Sequence, residues 1–334
     1  MAKYSVILPV KNGGEYIKEC INSIRAQTLG DFNLIVLIHD CNDGTLDWLN
    51  AISDPRLIIH NAQNIDGIIG NWNRIRDIPK NEFMTIIGYD DLLDPGYLAT
   101  MDKLISEYPD ASLYQSHYRY IDSKGKLIRP SKPMKEKQMP AEVLGGFLSN
   151  KTDICGTGFM MRSRDYERVG GIPPYPNLLF ADFALWIDLS LIRYMAVAKE
   201  ELFAFRIHQS TTTISSDQKM EKAFAEYIAY LERISKNDKV LGKVVSQHAN
   251  ELLNFYCQGL TSRLLRTSLA KRSGKRVKDI INDFKLYAIR LNPEKEFLPL
   301  SNITIKMALL VDSNPVTRNF FLLFKKIYPK PVAG

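Results

Sequence analysis

Apolar runs and helical stripes alternate through the first hundred residues of this 334-residue chain. SVILPV (5–10), LIVLI (34–38), RLIIH (56–60) and FMTIIG (83–88) are short and almost continuously apolar. That is the pattern of strands buried on both faces. Between them the period changes. Tyr16, Ile17, Cys20, Ile21 and Ile24 recur on one helical face until Leu29-Gly30 stops the run, and further helices are predicted near 46–52, 68–76 and 95–108. Strand and helix in alternation predict a mostly parallel, Rossmann-like α/β sheet flanked by helices. Ligands are expected at the carboxyl ends of its strands.

The middle of the chain is less regular. SLYQSHYRYID (112–122), GTGFMMRS (156–163) and LFAFRIH (202–208) read as strands, and ADFALWIDLSLI (181–192) as a helix. LIRPSKPMKEKQMP (127–140), with its prolines and basic residues, reads as a mobile surface loop. From about Asp217 the pattern is helical to the end, interrupted at Pro293, Pro299 and Pro315 and closed by Pro329 and Pro331. The expected division is a catalytic domain over 1–215 and a helical C-terminal extension over 216–334.

Composition narrows the class. With 45% hydrophobic and 24% charged residues the chain is globular, and no apolar run reaches the length of a membrane-crossing helix. The start, MAKYSVILPV, does not read as a secretory signal. Cys20, Cys41, Cys155 and Cys257 are scattered, with no CxxC pair, so reduced thiols in the cytoplasm are expected, not a disulfide framework or a zinc site. Cys155, beside Gly156, reads as a small buried residue. The charge is uneven. Residues 215–334 carry 21 Lys+Arg against 11 Asp+Glu, and the preceding residues 23 against 26. A basic tail on a slightly acidic body suits an anionic partner surface.

IIGYDDLLDP (86–95) carries the first candidate chemistry. Asp94-Pro95 reads as a helix N-cap followed by a favoured first helical residue. Asp90 and Asp91 lie at a strand's carboxyl end, where paired carboxylates repel unless a positive group lies between them. A hard divalent cation, Mn²⁺ or Mg²⁺, with positions left for phosphate oxygens would supply that charge; a solvated acidic turn is the other reading.

Seven blocks in order extend the picture: SVILPVKNGGEYIKECINSIRAQT, LIVLIHDCNDGT, NIDGIIGNWNRIRD, IIGYDDLLDPGYL, GTGFMMRSRDYERVGG, FADFALWIDLSL and FRIHQSTTTIS. Together, over roughly 4–215, the chain resembles the family 2 glycosyltransferases of the GT-A fold. The resemblance implies an inverting transfer from a nucleotide-diphosphate sugar, with UDP the expected nucleotide. The acceptor would be a glycan or lipid-linked saccharide in bacterial surface polysaccharide synthesis. It implies Asp90, with Asp91, as metal ligands, His208 as a further candidate ligand, and Asp182 as the base that deprotonates the acceptor. Pro9, Asn12, Asp40, Asn71 and Asn73 fall where the nucleotide would bind. For Asp182 and Asp40 a capping or turn role is the competing reading, and for His208 simple packing. The chain departs from the family pattern at Tyr89, Ala181 and Trp72, and His39 competes with Asp40 for one position.

The basic stretch SRLLRTSLAKRSGKRVKD (262–279) and the amphipathic RNFFLLFKKIYPKP (318–331) suit an anionic membrane surface. In the second, Phe320, Leu323, Phe324 and Ile327 share a face flanked by Lys325 and Lys326. Packing on the catalytic domain explains the tail equally well. No nucleic-acid motif is present. The expected location is the cytoplasm, with peripheral attachment to the inner membrane face. A nicotinamide-dependent oxidoreductase would need GxGxxG after the first strand, and PVKNGGEY lacks that spacing. A non-catalytic nucleotide-sugar-binding protein of the same fold remains the other alternative.

Overall fold

The computed structural model describes residues 2–208 and 217–327. Residues 209–216, Pro329 and Pro331 lie outside the described residues, as do the side chains of Phe324, Lys325, Lys326 and Ile327. The chain forms two compact units, Met1–Val143 with Lys151–Ile214, and Leu144–Asn150 with Ser215–Gly334.

The first unit opens as the alternation predicts: β1 (Tyr4–Val10), α1 (Gly14–Arg25), β2 (Phe32–His39), α2 (Thr45–Asn50), β3 (Leu57–Ala62), α3 (Gly67–Asn73) and β4 (Phe83–Ile86). β5 (Leu92–Leu93), α4 (Tyr97–Glu107), β6 (Leu113–Ile121), β7 (Leu127–Pro130), β8 (Lys137–Gln138) and α5 (Pro140–Leu148), which passes into the second unit at Leu144, follow. The 127–140 stretch is thus partly ordered as two strands: β7 pairs with β6, and β8 with the last strand of the sheet. The unit closes with β9 (Phe159–Arg162), α6 (Ser163–Arg168), α7 (Ala181–Ile192) and β10 (Met195–Arg206).

One sheet runs in the order β3-β2-β1-β4-β9-β6-β10-β5. β1 to β4 are mutually parallel, β9 runs antiparallel between β4 and β6, and β6 and β10 are again parallel. The chain leaves β1 toward β2 and β3 and then returns to β1's other side for β4. The carboxyl ends of β1 and β4 therefore flank the topological switch point, where such sheets open a crevice. Every residue of β1 is buried, and so are Ile17, Cys20, Ile21 and Ile24 of α1. That is the stripe the helical spacing predicts.

The second unit is helical: α8 (Asp217–Asn237), α9 (Lys239–Arg266), α10 (Val277–Leu291), α11 (Ile303–Ser313) and α12 (Pro315–Ile327). Asp238 caps α9 by accepting from the Val240 and Leu241 amides, and Asn302 caps α11 through the Thr304 amide. Phe224 stacks on Phe284 in its core, with ring centroids 5.1 Å apart. The buried Asp312 accepts from Arg272 at 2.7 Å and from the Val277 amide at 2.9 Å.

Candidate active site

Three parallel strands end in the same way. Asn12, Asp40 and Asn64, just past β1, β2 and β3, all adopt left-handed backbone, with φ of 53°, 45° and 59°. Asn and Asp tolerate this conformation best among residues with side chains. Each turn is tied to the next. The Asn12 side-chain oxygen accepts from the Asn42 amide at 2.9 Å, and Asp40 accepts from the Asn64 amide at 3.0 Å. Beneath them the Asn71 side-chain amide donates to the carbonyls of Leu37 (3.0 Å) and Val10 (3.4 Å). Arg74 donates to the Ile38 and His60 carbonyls and to Asn71, at 2.8–2.9 Å. Asn71 is buried, so its amide braces the strand ends; Asn73 closes α3 beside it.

Pro9 fits this edge for a backbone reason. The Ile7 carbonyl accepts from the Ile87 amide on the β4 side. Pro9, two residues on, faces the same side beyond the last β1–β4 pair, Ile7 with Ile86. A residue without an N–H loses no ladder bond there. His39, the last residue of β2, is buried, and its Nδ1 lies 3.3 Å from the Val10 carbonyl.

The acidic turn after β4 separates two adjacent aspartates. Asp91 is buried. One carboxylate oxygen accepts from the Thr157 hydroxyl at 2.6 Å and the other from the Arg206 amide at 2.9 Å. Burial, and next the Asp90 charge, push its carboxyl well above the usual carboxylate range. Asp90 instead meets His208, whose Nε2 lies 2.6 Å from its Oδ2. Gly88 permits this turn, because a Cβ there would stand 2.6 Å from an Asp90 oxygen and 2.9 Å from one of Asp91. Asp94 is not the predicted helix cap. Gly96 precedes α4, and the Asp94 carboxylate takes a two-pronged ion pair from Arg119 of β6 at 2.6 and 2.9 Å.

Arg206 organises the turn from β10. Its side chain is fully buried; it donates to the Asp90 carbonyl at 2.7 Å and to Glu19 at 2.6 Å, and it lies 4.7 Å from the Tyr16 ring centre. Tyr16 in turn lies 5.0 Å from the His208 ring.

Asp182 stands in the first turn of α7, where the helix dipole favours a carboxylate. It is half-buried, and desolvation pushes its pKa up to about 6. Phe180 occupies the cap position, so Asp182 is not the N-cap. Leu178 and Phe180 just before it have φ of 56° and 64°, a conformation that bulky side chains rarely adopt. One loop joins both acidic sites. Thr157 holds Asp91, while an Asp182 oxygen lies 3.6 Å from where a Cβ on Gly156 would stand. Trp186 of α7 fixes the loop by donating to the Cys155 carbonyl at 3.0 Å. At Gly158, with φ +80°, a Cβ would stand 2.7 Å from the Phe203 ring.

As to metal chemistry, Asp90 and His208 make one oxygen and one nitrogen donor brought together. Among the described residues no cluster of three or more His, Cys, Asp or Glu could hold an ion. Two protein donors suit a cation that takes its remaining ligands from phosphate oxygens and water. Each Asp91 oxygen accepts one framework hydrogen bond.

Residues 5–170 match the family model described as glycosyl transferase family 2. The chain belongs to glycosyl transferase family 2. An uncharacterized glycosyltransferase of Rickettsia typhi is 23% identical over 245 residues, covering 72% of this chain and 74% of that protein. The PGL/p-HBAD biosynthesis glycosyltransferase of Mycobacterium tuberculosis is 32% identical over 114 residues, 33% of this chain and 44% of that protein. Among solved structures, S. aureus TarS 1-349 in complex with UDP-GlcNAc has a TM-score of 0.67 at 14% identity, covering 96% of this chain and 91% of that one. That likeness is one of fold, the GT-A type.

In this glycosyltransferase the family match stops at residue 170, before Asp182, Arg206 and His208. Of these, Arg206 and His208 are drawn by hydrogen bonds back onto the acidic turn of β4. Thr157, Arg206 and Arg74 were not singled out by sequence pattern. The available signal for Arg206 was its position two residues before His208.

Proposed function

We propose that this glycosyltransferase moves a sugar, with inversion, from a UDP-sugar to a hydroxyl of a glycan or lipid-linked saccharide in bacterial surface polysaccharide synthesis. The observation that carries the reading is the 155–158 loop. Thr157 bonds Asp91 of the acidic turn and its neighbour Gly156 lies beside Asp182, which supports reading the two acidic positions as parts of one cleft. Asp182 takes the proton of the acceptor hydroxyl as its oxygen bonds the anomeric carbon and the bond to the diphosphate breaks. A carboxylate near pKa 6 is ionised at neutral pH yet basic enough to share that proton. Asp90 and His208 would hold Mn²⁺ or Mg²⁺, which when bound neutralises charge on the leaving diphosphate. Asp91 and Arg206 hold Asp90 in place. Asn12 and Asp40, with Pro9 opening the edge beside them, face the nucleoside, while Asn71 and Arg74 keep the three strand ends in register. The fold shared with TarS, itself crystallised with UDP-GlcNAc, favours UDP. The mycobacterial relative, whose name places it in PGL/p-HBAD biosynthesis, supports a glycan-building role.

A screen of UDP-, dTDP- and GDP-sugars, read as nucleotide release with and without Mn²⁺, tests the reading. One UDP-sugar should be turned over, and chelation should stop it. Unchanged turnover after chelation would remove the metal from the account. Donor binding without turnover under any condition would leave only the non-catalytic reading.

A further inference from the structure

α11 and α12 in the second unit are apolar on faces that none of the described residues covers. On α11, Ile305, Ala308 and Asp312 are buried, whereas Ile303, Met307 and Leu310 are exposed. The exposed set has i, i+4, i+7 spacing, which makes one stripe on the side opposite the packed one. α12 follows after a single residue, Asn314, and repeats the device with Val316, Phe320 and Leu323. These six side chains are between 51% and 75% exposed. Scattered apolar residues need no explanation, but a stripe on each of two consecutive helices marks a docking surface.

Charge selects the occupant. Residues 303–334 hold five basic residues and one acidic residue, Asp312, and of the basic ones Arg318 is buried beside Asp312. Asp312 is buried and paired with Arg272 and Arg276, so it contributes no exposed negative charge. Lys306 is exposed beside the α11 stripe. A second copy would bring the same positive charge against itself, which disfavours self-pairing. An anionic lipid surface offers what both features need: hydrocarbon for the stripe and negative headgroups for the lysines.

We propose that α11 and α12 lie flat on an anionic lipid surface, with Ile303, Met307, Leu310, Val316, Phe320 and Leu323 reaching the acyl boundary. This deepens the lipid-linked acceptor reading, because such an acceptor would be met at that surface. Docking itself needs neither donor nor transfer.

The test is sedimentation of the full chain with phosphatidylglycerol-containing vesicles and with pure phosphatidylcholine vesicles, without nucleotide sugar. Binding should favour the anionic vesicles by at least about tenfold and weaken in high salt. The double variant Phe320→Ser/Leu323→Ser should lose binding at least about tenfold while melting as the native chain does, since both side chains are exposed. Lys306→Glu should weaken it about fivefold. Absent binding to anionic vesicles, or equal binding by the double variant, would overturn the proposal. So would a dimer seen by light scattering in the native chain and lost in that variant.

Discussion

The two units break the ordinary rule of burial in opposite directions. At the strand ends of the first unit a carboxylate, Asp91, and the Arg206 guanidinium are buried where water would otherwise solvate them. On α11 and α12 of the second, large apolar side chains face water. The first departure is compensated within the chain, since every named charge has a hydrogen-bond partner. The second is not compensated by any of the described residues. A satisfied buried charge points to a site whose geometry the fold maintains, and an unsatisfied apolar face points to something outside the fold.

The largest expected effect lies at the carboxylate left half-open. Asp182→Asn should lower transfer by about 10²–10⁴-fold in single-turnover assays, with donor affinity in titration changed less than about twofold. The same substitution should stabilise the fold. The pKa of Asp182 rises from 3.8 to about 6, so its charged form is disfavoured by folding. The cost is nil well below pH 4, grows between about pH 4 and pH 6 and is full above that. Urea unfolding at pH 8 should therefore show Asp182→Asn more stable by about 1–2 kcal/mol, fading toward pH 4. A variant that loses both activity and stability would instead make Asp182 a structural residue.

Smaller effects probe the framework. Gly158→Ala forces a side chain into φ +80° and against Phe203, and should cost about 2–4 kcal/mol in urea unfolding. Thr157→Val removes a 2.6 Å bond to the buried Asp91 and should cost about 1.5–3 kcal/mol. In the second unit, Asn302→Ala removes the α11 cap together with exposed bonds to Asn254 and Gln258 of α9, and should cost about 1 kcal/mol. If the framework variants were as mild as that cap, the burial of Asp91 would not be maintaining the site.

Much of the first unit was legible in sequence because its strands are buried on both faces and its helices on one, so period alone separates them. What local pattern could not carry were pairings made across the fold. Asp94 before Pro95 reads as a cap, yet its partner is Arg119, on a strand that the window around Asp94 does not contain. Asp90 and Asp91 are the same residue type side by side, but their carboxylates are drawn apart, one to His208 and the other to Thr157 and the Arg206 amide. Asn71 and Asn73, read together as cleft residues, separate likewise, since Asn71 is spent on the carbonyls of β1 and β2. On the tail, Phe320 and Leu323 showed the amphipathic period. The matching stripe on α11 did not stand out, because Ile305 and Ala308 fill the opposite face and blur it.

The pH dependence of kcat/KM for sugar transfer, in the native chain and in Asp182→Asn, tests the central assignment most directly. The native profile should rise to a plateau with an apparent pKa near 6, and the residual activity of the variant should lack that limb. A variant that retains the limb, or that transfers at the native rate, would contradict it.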